Sequence, residues 1–204
     1  MSISIVLRTS AKTNVFRDAV ISTIGSGHLD EVLICSGFYQ ENFQGSHFQV
    51  SGEASFAKVC AASKIRLTTV GVHNNTWKSS YRDFRDNMKA AGVAINSYYK
   101  AGLKWHAKVY IGFRGGDPLV GIVGSSNLTR PAFSVTSPFN NECDVYLWDR
   151  KSKINDAALA AAEAASSQIL IRAPYVPRLN GGRTVSQILS MVRDEVLSED
   201  LKEL

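Results

Sequence analysis

The chain has 204 residues, of which 45% are hydrophobic and 20% charged, with a formal net charge of +5. That length can bury one sizeable core, and the balance is that of an ordinary globular domain rather than a low-complexity or fibrous chain. No basic start leads into a long apolar run and no apolar run approaches the ~20 residues a bilayer span requires, so neither a signal peptide nor a membrane segment is expected. Cys35, Cys60 and Cys143 form no CxxC, and an odd count of this kind predicts buried reduced thiols and a cytoplasmic location.

In chain order, Ser2 to Leu7 alternates as a strand does, and Asn14 to Ile24 reads as a helix ending at Gly25-Ser26-Gly27. Glu31 to Phe38 is a buried strand, Phe56 to Ser63 a short helix and Ile65 to Val72 another strand. Trp77 to Ala91 is a charged helix closed by Gly92, and Val93 to Tyr99 is a strand. KWHAKVYIGF, from Lys104 to Phe113, is apolar, aromatic and β-branched and reads as a strand. Arg114 to Pro118 is turn chemistry, and Leu119 to Gly124 reads as the antiparallel mate of that strand. Glu142 to Trp148 is a further strand, and Ile154 to Ile171 an Ala-rich helix. The segment APYVPRLNGGR links it to a last helix from Thr184 to Leu204, whose acidic end SEDLKEL looks solvated. The expected fold is α/β: a mixed, largely parallel sheet with helices on both faces, followed by C-terminal helices. Residues 1–150 would form the catalytic domain and 151–204 a helical extension packed on it. No internal repeat is visible.

Two segments carry chemistry. On a strand, residues i and i+2 share a face, so His106 and Lys108 would point the same way. The returning strand ends in GIVGSSNLTR, and the hairpin would bring Ser125 and Asn127 near His106. An imidazole, an ammonium and small polar groups so placed suit a phosphodiester.

His106-Ala107-Lys108 followed by Gly124-Ser125-Ser126-Asn127 resembles the HxK…GSxN signature of the phospholipase D superfamily, most strongly over residues 104–148. The resemblance implies that His106 attacks phosphorus to form a phosphohistidine, that Lys108 and Asn127 hold the non-bridging oxygens, and that Ser125 adds a hydrogen bond or fixes the loop. It also implies a carboxylate on the following strand that orients the histidine; Glu142 is the first candidate and Asp144 the reserve. Thr129 and Arg130 lie where a substrate backbone would be positioned, and Ser126 and Lys104 complete the substrate-binding set, although Ser126 is expected to point away from the site. One departure is plain: the family places an aspartate five residues after the lysine, where this chain has Phe113, and Asp117 in the turn is not its equivalent.

The family surrounds one phosphate with two such histidines, and this chain has one HxK. The implied solution is a homodimer with a shared active site, in which the second His106 protonates the leaving oxygen. No cofactor and no metal are expected, since two lysines supply the charge. Between Lys100 and Arg130 the chain carries Lys100, Lys104, Lys108, Arg114 and Arg130 against Asp117 alone, which favours a polyanion, with DNA first, and no membrane. The leading expectation is a metal-independent DNA endonuclease of restriction or defence type. The alternatives are a lipid phosphodiesterase and a nucleic-acid-binding module without chemistry. A cleaving chain of this size would be non-specific or would rely on another domain or subunit for recognition. His28, His47 and His73 are read as ordinary loop histidines, Trp105 as packing on the opposite sheet face, and Trp77, Lys78, Tyr81, Arg82 and Arg85 as one side of a surface helix.

Overall fold

A computed structural model describes residues 2–100, 102–148, 168–198 and 200–204. The expected helix from Ile154 lies outside these residues up to position 167. Its last four positions do not extend it, because Gln168–Pro174 is a strand.

The described strands are β1 (Ser2–Arg8), β2 (Glu31–Cys35), β3 (Arg66–Gly71), β4 (Ala94–Tyr99), β5 (Lys108–Arg114), β6 (Asp117–Gly124), β7 (Glu142–Trp148), β8 (Gln168–Pro174) and β9 (Lys202–Glu203). They form one sheet in the order β8-β1-β7-β6-β5-β2-β3-β4-β9. The helices are α1 (Val15–Gly25), α2 (Phe56–Ala62), α3 (Lys78–Ala90), the single turn α4 (Arg130–Phe133) and α5 (Val185–Leu197).

The sheet is mixed, as expected, but parallel pairing is confined to β2–β3 and β3–β4. The reason lies in the connections. Only α2 and α3 lie between strands that become parallel neighbours, and a parallel pair needs a crossover of that kind. β5 and β6 instead close a hairpin through Gly115 and Gly116, both with positive φ, so the turn precedes Asp117 and Pro118 rather than including them. The C-terminal extension is not purely helical. β8 pairs antiparallel with β1, and β9 pairs antiparallel with Tyr98–Tyr99 of β4. Its final residues are thus held by the sheet, with Leu204 N–H donating to Ser97 O, rather than prolonging a helix.

Helices do cover both faces. Alternation in β2 sends Val32 and Ile34 to one side, where they meet residues of α1, α2 and α3 such as Phe16, Phe56 and Phe84. Leu33 and Cys35 face the other, where Val185, Leu189 and Val196 of α5 pack on Val109, Ile111 and Phe113. Trp105 is partly buried against this second cluster. Phe113, where the family has its aspartate, is 2% exposed, with the Arg193 guanidinium 5.9 Å from its ring centroid. Position 113 is therefore a core position closing α5 onto β5. Cys35 and Cys60 are buried, burial pushing the Cys60 thiol up to about 12, whereas Cys143 is exposed, contrary to expectation. No described helix is long and apolar enough to cross a membrane.

Candidate active site

The site forms at one end of the sheet, on the face covered by α1–α3. Pairing places Lys108 of β5 opposite Gly124 of β6, Gly124 opposite Asp144 of β7, and Glu142 of β7 opposite Arg8 of β1. Residues at these even positions share the face of the buried Tyr110, Ile122 and Tyr146, so a row of polar side chains continues the apolar core outward.

Asp144 organises the GSSN segment. It is 4% exposed, and its Oδ1 accepts from the backbone N–H of Ser125 (3.1 Å) and of Ser126 (3.2 Å). Its Oδ2 accepts from the Ser126 hydroxyl at 2.6 Å. Burial raises the Asp144 carboxyl to about 6, against the opposing pull of these hydrogen bonds. Gly124 is what permits the arrangement: a Cβ there would lie 2.1 Å from Asp144 Oδ1 and 2.5 Å from the Cys143 carbonyl oxygen. Ser126 is accordingly buried and engaged by Asp144, which places it in the scaffold and not at a substrate surface.

Ser125 and Glu142 form a second unit. The Ser125 hydroxyl donates to Glu142 Oε2 and accepts from the Cys143 N–H at 2.9 Å. Glu142, expected to hold the histidine, is thus held by Ser125, and among the described residues the ring against His106 is that of His73. Both carboxylates act on Lys108. Burial lowers the Lys108 ammonium, while Glu142, Cys35 and Asp144 pull it back up. Arg8, not singled out in the sequence, lies 4% exposed beside this row. It donates to the carbonyls of Pro131 (3.0 Å), Ala132 (3.1 Å) and Ser134 (2.6 Å), which ties the segment after Asn127 to β1. Burial lowers its guanidinium, with Glu142 and Asp144 opposing.

Asn127 is fixed through β2. The single Ser36 hydroxyl proton is shared between the Phe38 carbonyl at 2.8 Å and Asn127 Oδ1 at 3.2 Å, and Ser36 Oγ accepts from Leu128 N–H. With Oδ1 turned to Ser36, the Asn127 amide NH₂ is the group left to offer a ligand. Thr129 is buried ahead of α4, and Arg130 N–H donates to Gln40 Oε1 at 2.8 Å. Lys104 is exposed.

His106 is exposed and lies just before β5, which begins at Lys108 and not at Lys104. Its carbonyl accepts from Lys108 Nζ at 2.6 Å. The His106 ring stacks on His73, with centroids 4.5 Å apart and planes at 18°. His73 was read as a loop residue; it is the contact that sequence reasoning missed. Its Nδ1 lies 2.7 Å from the Leu103 carbonyl, which can only accept, so Nδ1 carries the proton. Its Nε2 is buried without a partner, against Gly37, where a Cβ would come within 2.4 Å of it. Burial lowers the His73 imidazole, as do His106 and Lys108, although the bond to Leu103 raises it. An uncharged ring is thereby held flat against His106. The only sequence signal for this was GVHNN following a buried strand, which places His73 at the same sheet end as β5's start.

Beside Asn127 and Arg130 opens a cleft of about 490 Å³, also lined by Phe38, Phe43 and Trp77. No group of three or more metal-ligating side chains occurs among the described residues.

No family model matches the sequence, and no curated protein matches it. Among solved structures it is similar to a mutant of yeast tyrosyl-DNA phosphodiesterase, at 13% identity and a TM-score of 0.46 over 75% of this chain and 48% of the other. It is also similar to phosphatidylserine synthase of Haemophilus influenzae, at 11% identity and a TM-score of 0.48 over 96% of this chain and 47% of the other. Both are members of the phospholipase D superfamily. The match spans about half the length of either neighbour.

Proposed function

We propose that the chain is a phosphodiesterase of the phospholipase D type, acting on nucleic acid with DNA favoured, and working as an endonuclease in a dimer that shares its active site. The observation that carries this reading is the exposed His106 ring, stacked on His73 and followed on β5 by Lys108, which lies on the same polar row as the buried carboxylates Glu142 and Asp144 that engage Ser125 and Ser126. In the proposed reaction an imidazole nitrogen of His106 attacks phosphorus and the ester P–O bond breaks. The His106 of a second copy gives its proton to the leaving oxygen, then takes one from the water whose oxygen displaces the imidazole. Lys108 and the Asn127 amide stabilise the non-bridging oxygens where charge builds up. Lys108 supplies positive charge at that point, so the scheme calls for no divalent ion.

The test is direct. Wild type and His106→Ala are incubated with plasmid DNA, RNA and phosphatidylcholine, each with magnesium and, in a parallel arm, with excess EDTA. Cleavage of DNA by the wild type alone is the expected result. Headgroup release without DNA cleavage would transfer the reading to lipid, and abolition of activity by EDTA would overturn the metal-independent scheme. Inactivity on all three substrates would leave a binding module.

A further inference from the structure

The aromatic contacts do not stop at the histidine pair. From His73 they continue to Phe38 (centroids 5.7 Å apart), from Phe38 to Trp77 (4.9 Å), and from Trp77 to Phe43, stacked at 4.0 Å. Phe38, Trp77 and Phe43 are each only half-buried, and all three line the 490 Å³ cleft that Asn127 and Arg130 share. A row of rings thus runs from the proposed nucleophile into an open cleft. Core packing accounts for Trp77 in part, since it rests against the main core cluster, but Phe38 and Phe43 belong to neither cluster.

The rest of the lining is mixed, with Pro131 and Pro138 among polar side chains. Gln40, Asn140 and Thr129 contribute amides and a hydroxyl, and Arg130 a guanidinium. An acyl chain lying here would leave those groups facing hydrocarbon, which is costly. A planar heterocycle suits such a mixed lining: its face can meet the rings, its edge the amides, and its attached phosphates Arg130 on a chain of net charge +5. A base stacked within a duplex presents no face to such a wall; an unpaired base does.

We infer that this cleft is a stacking subsite for an unpaired nucleobase flanking the phosphate held at His106, which makes single-stranded or locally opened nucleic acid the preferred ligand. The inference rests on the proposed phosphodiesterase reading for the identity of the neighbouring site. Trp77 and Phe43 form the platform, Phe38 joins it to the histidine pair, and Arg130 guides the backbone. No bond changes in the subsite.

Binding can be separated from cleavage by working in the full chain carrying His106→Ala. The probes are a labelled oligodeoxynucleotide of about 8 residues, the same sequence as a duplex, and vesicles of phosphatidylcholine with phosphatidylglycerol, read by fluorescence anisotropy and co-sedimentation. Trp77→Leu and Phe43→Leu keep apolar volume but remove the ring. Losing a stacked base should weaken single-strand binding about ten-fold or more and change duplex binding by less than about two-fold. Thermal unfolding of each variant confirms that it is folded, and Arg130→Gln, which leaves both rings in place, serves as the second route: it should reduce single-strand affinity and its salt dependence. Folded ring variants that bind the single strand like their parent would overturn the subsite, as would a parent that binds vesicles but no single strand. Plasmid cleavage by the wild type with unaffected ring variants would sink this inference and leave the nuclease reading standing. Ring-dependent binding without cleavage of any substrate would do the reverse.

Discussion

Asp144 offers the sharpest quantitative test, because its two replacements should behave oppositely. Asp144→Ala removes the acceptor for two backbone N–H groups and one hydroxyl in a site 4% exposed. The Ser125 N–H keeps its second acceptor, the Cys143 carbonyl at 3.1 Å, so the main orphans are the Ser126 N–H and hydroxyl. An unsatisfied buried polar group costs about 1–3 kcal/mol, which puts the loss at roughly 2–5 kcal/mol. Asp144→Asn keeps an oxygen for the two N–H groups, and its amide can donate to the Ser126 hydroxyl oxygen, so the network survives.

What Asn removes is the buried charge. Asp144 titrates at about 6 in the folded chain against the ordinary 3.8, an upward shift of roughly two units. A carboxyl raised on folding contributes stability that is complete below pH 3.8 and lost as pH rises through about 6. At about 1.4 kcal/mol per unit, the carboxylate costs up to ~3 kcal/mol at pH 8 relative to pH 3.8. Urea unfolding of wild type and Asp144→Asn at several pH values should therefore show the Asn variant gaining on the wild type by about 1–3 kcal/mol as pH rises from 4 to 8. A difference that does not change with pH, or an Asp144→Ala variant within about 0.5 kcal/mol of wild type, would refute the account of this carboxylate as the buried anchor of residues 125–126.

An aspartate at position 113 should damage the protein: Phe113→Asp empties a core position under α5 and buries a charge, for a loss of about 3–5 kcal/mol by chemical unfolding. Gly124→Ala should cost as much or prevent folding, since the neighbouring atoms at 2.1–2.6 Å include β7 backbone that cannot step aside; circular dichroism and solubility check this. His73 is lowered from 6.5, so its contribution to stability is complete above pH 6.5 and is lost as pH falls through the folded value; His73→Gln should flatten that part of the acid-side stability curve. The same substitution should lower kcat on whichever phosphodiester proves to be the substrate, and shift the acid limb of its pH profile, by removing the ring behind His106.

Much of the architecture was legible because alternation is a strong signal. β1, β3 and β4 and helices α1–α3 follow from periodicity and from Gly punctuation such as Gly25 and Gly92. Local pattern says nothing about which strand pairs with which, so the parallel majority expected from alternating elements gave way to antiparallel pairing around the β5–β6 hairpin. β9 is two residues long, and its strand character exists only because Tyr98 and Tyr99 present an edge to it. The HxK and GSSN segments were legible as a site because their spacing matches a hairpin. The partners of Glu142 and Asp144 were not, since side chains two residues apart on one face compete for the same loop and only the packing decides. Asp144 wins the backbone of Ser125 and Ser126, and Glu142 takes the Ser125 hydroxyl. Arg8 and His73 escaped because each acts on residues more than thirty positions away, Arg8 through carbonyls that carry no sequence identity at all.

These partners bear on how His106 would work as the proposed nucleophile. One face of the His106 ring is occupied by His73, so a phosphate, and any second imidazole, must approach from the other face or from the ring edge. His73 is itself fixed, by its bond to Leu103 on one side and by contact with Gly37 on the other. Lys108 has little freedom either, with its ammonium on the His106 carbonyl and two carboxylates nearby. Two cations, Arg8 and Lys108, stand against two carboxylates, Glu142 and Asp144, in this row, and all but Lys108 are fully buried. The four charges balance, so on the proposed reading an arriving phosphodiester would find an accessible cation of this row only at its one partly exposed member, Lys108, whose ammonium sits on the His106 carbonyl. If the proposed reaction runs here, that is preorganisation in the sense that matters for catalysis: the charges are already placed and their supports already paired, so little reorganisation would be left for the moment of reaction.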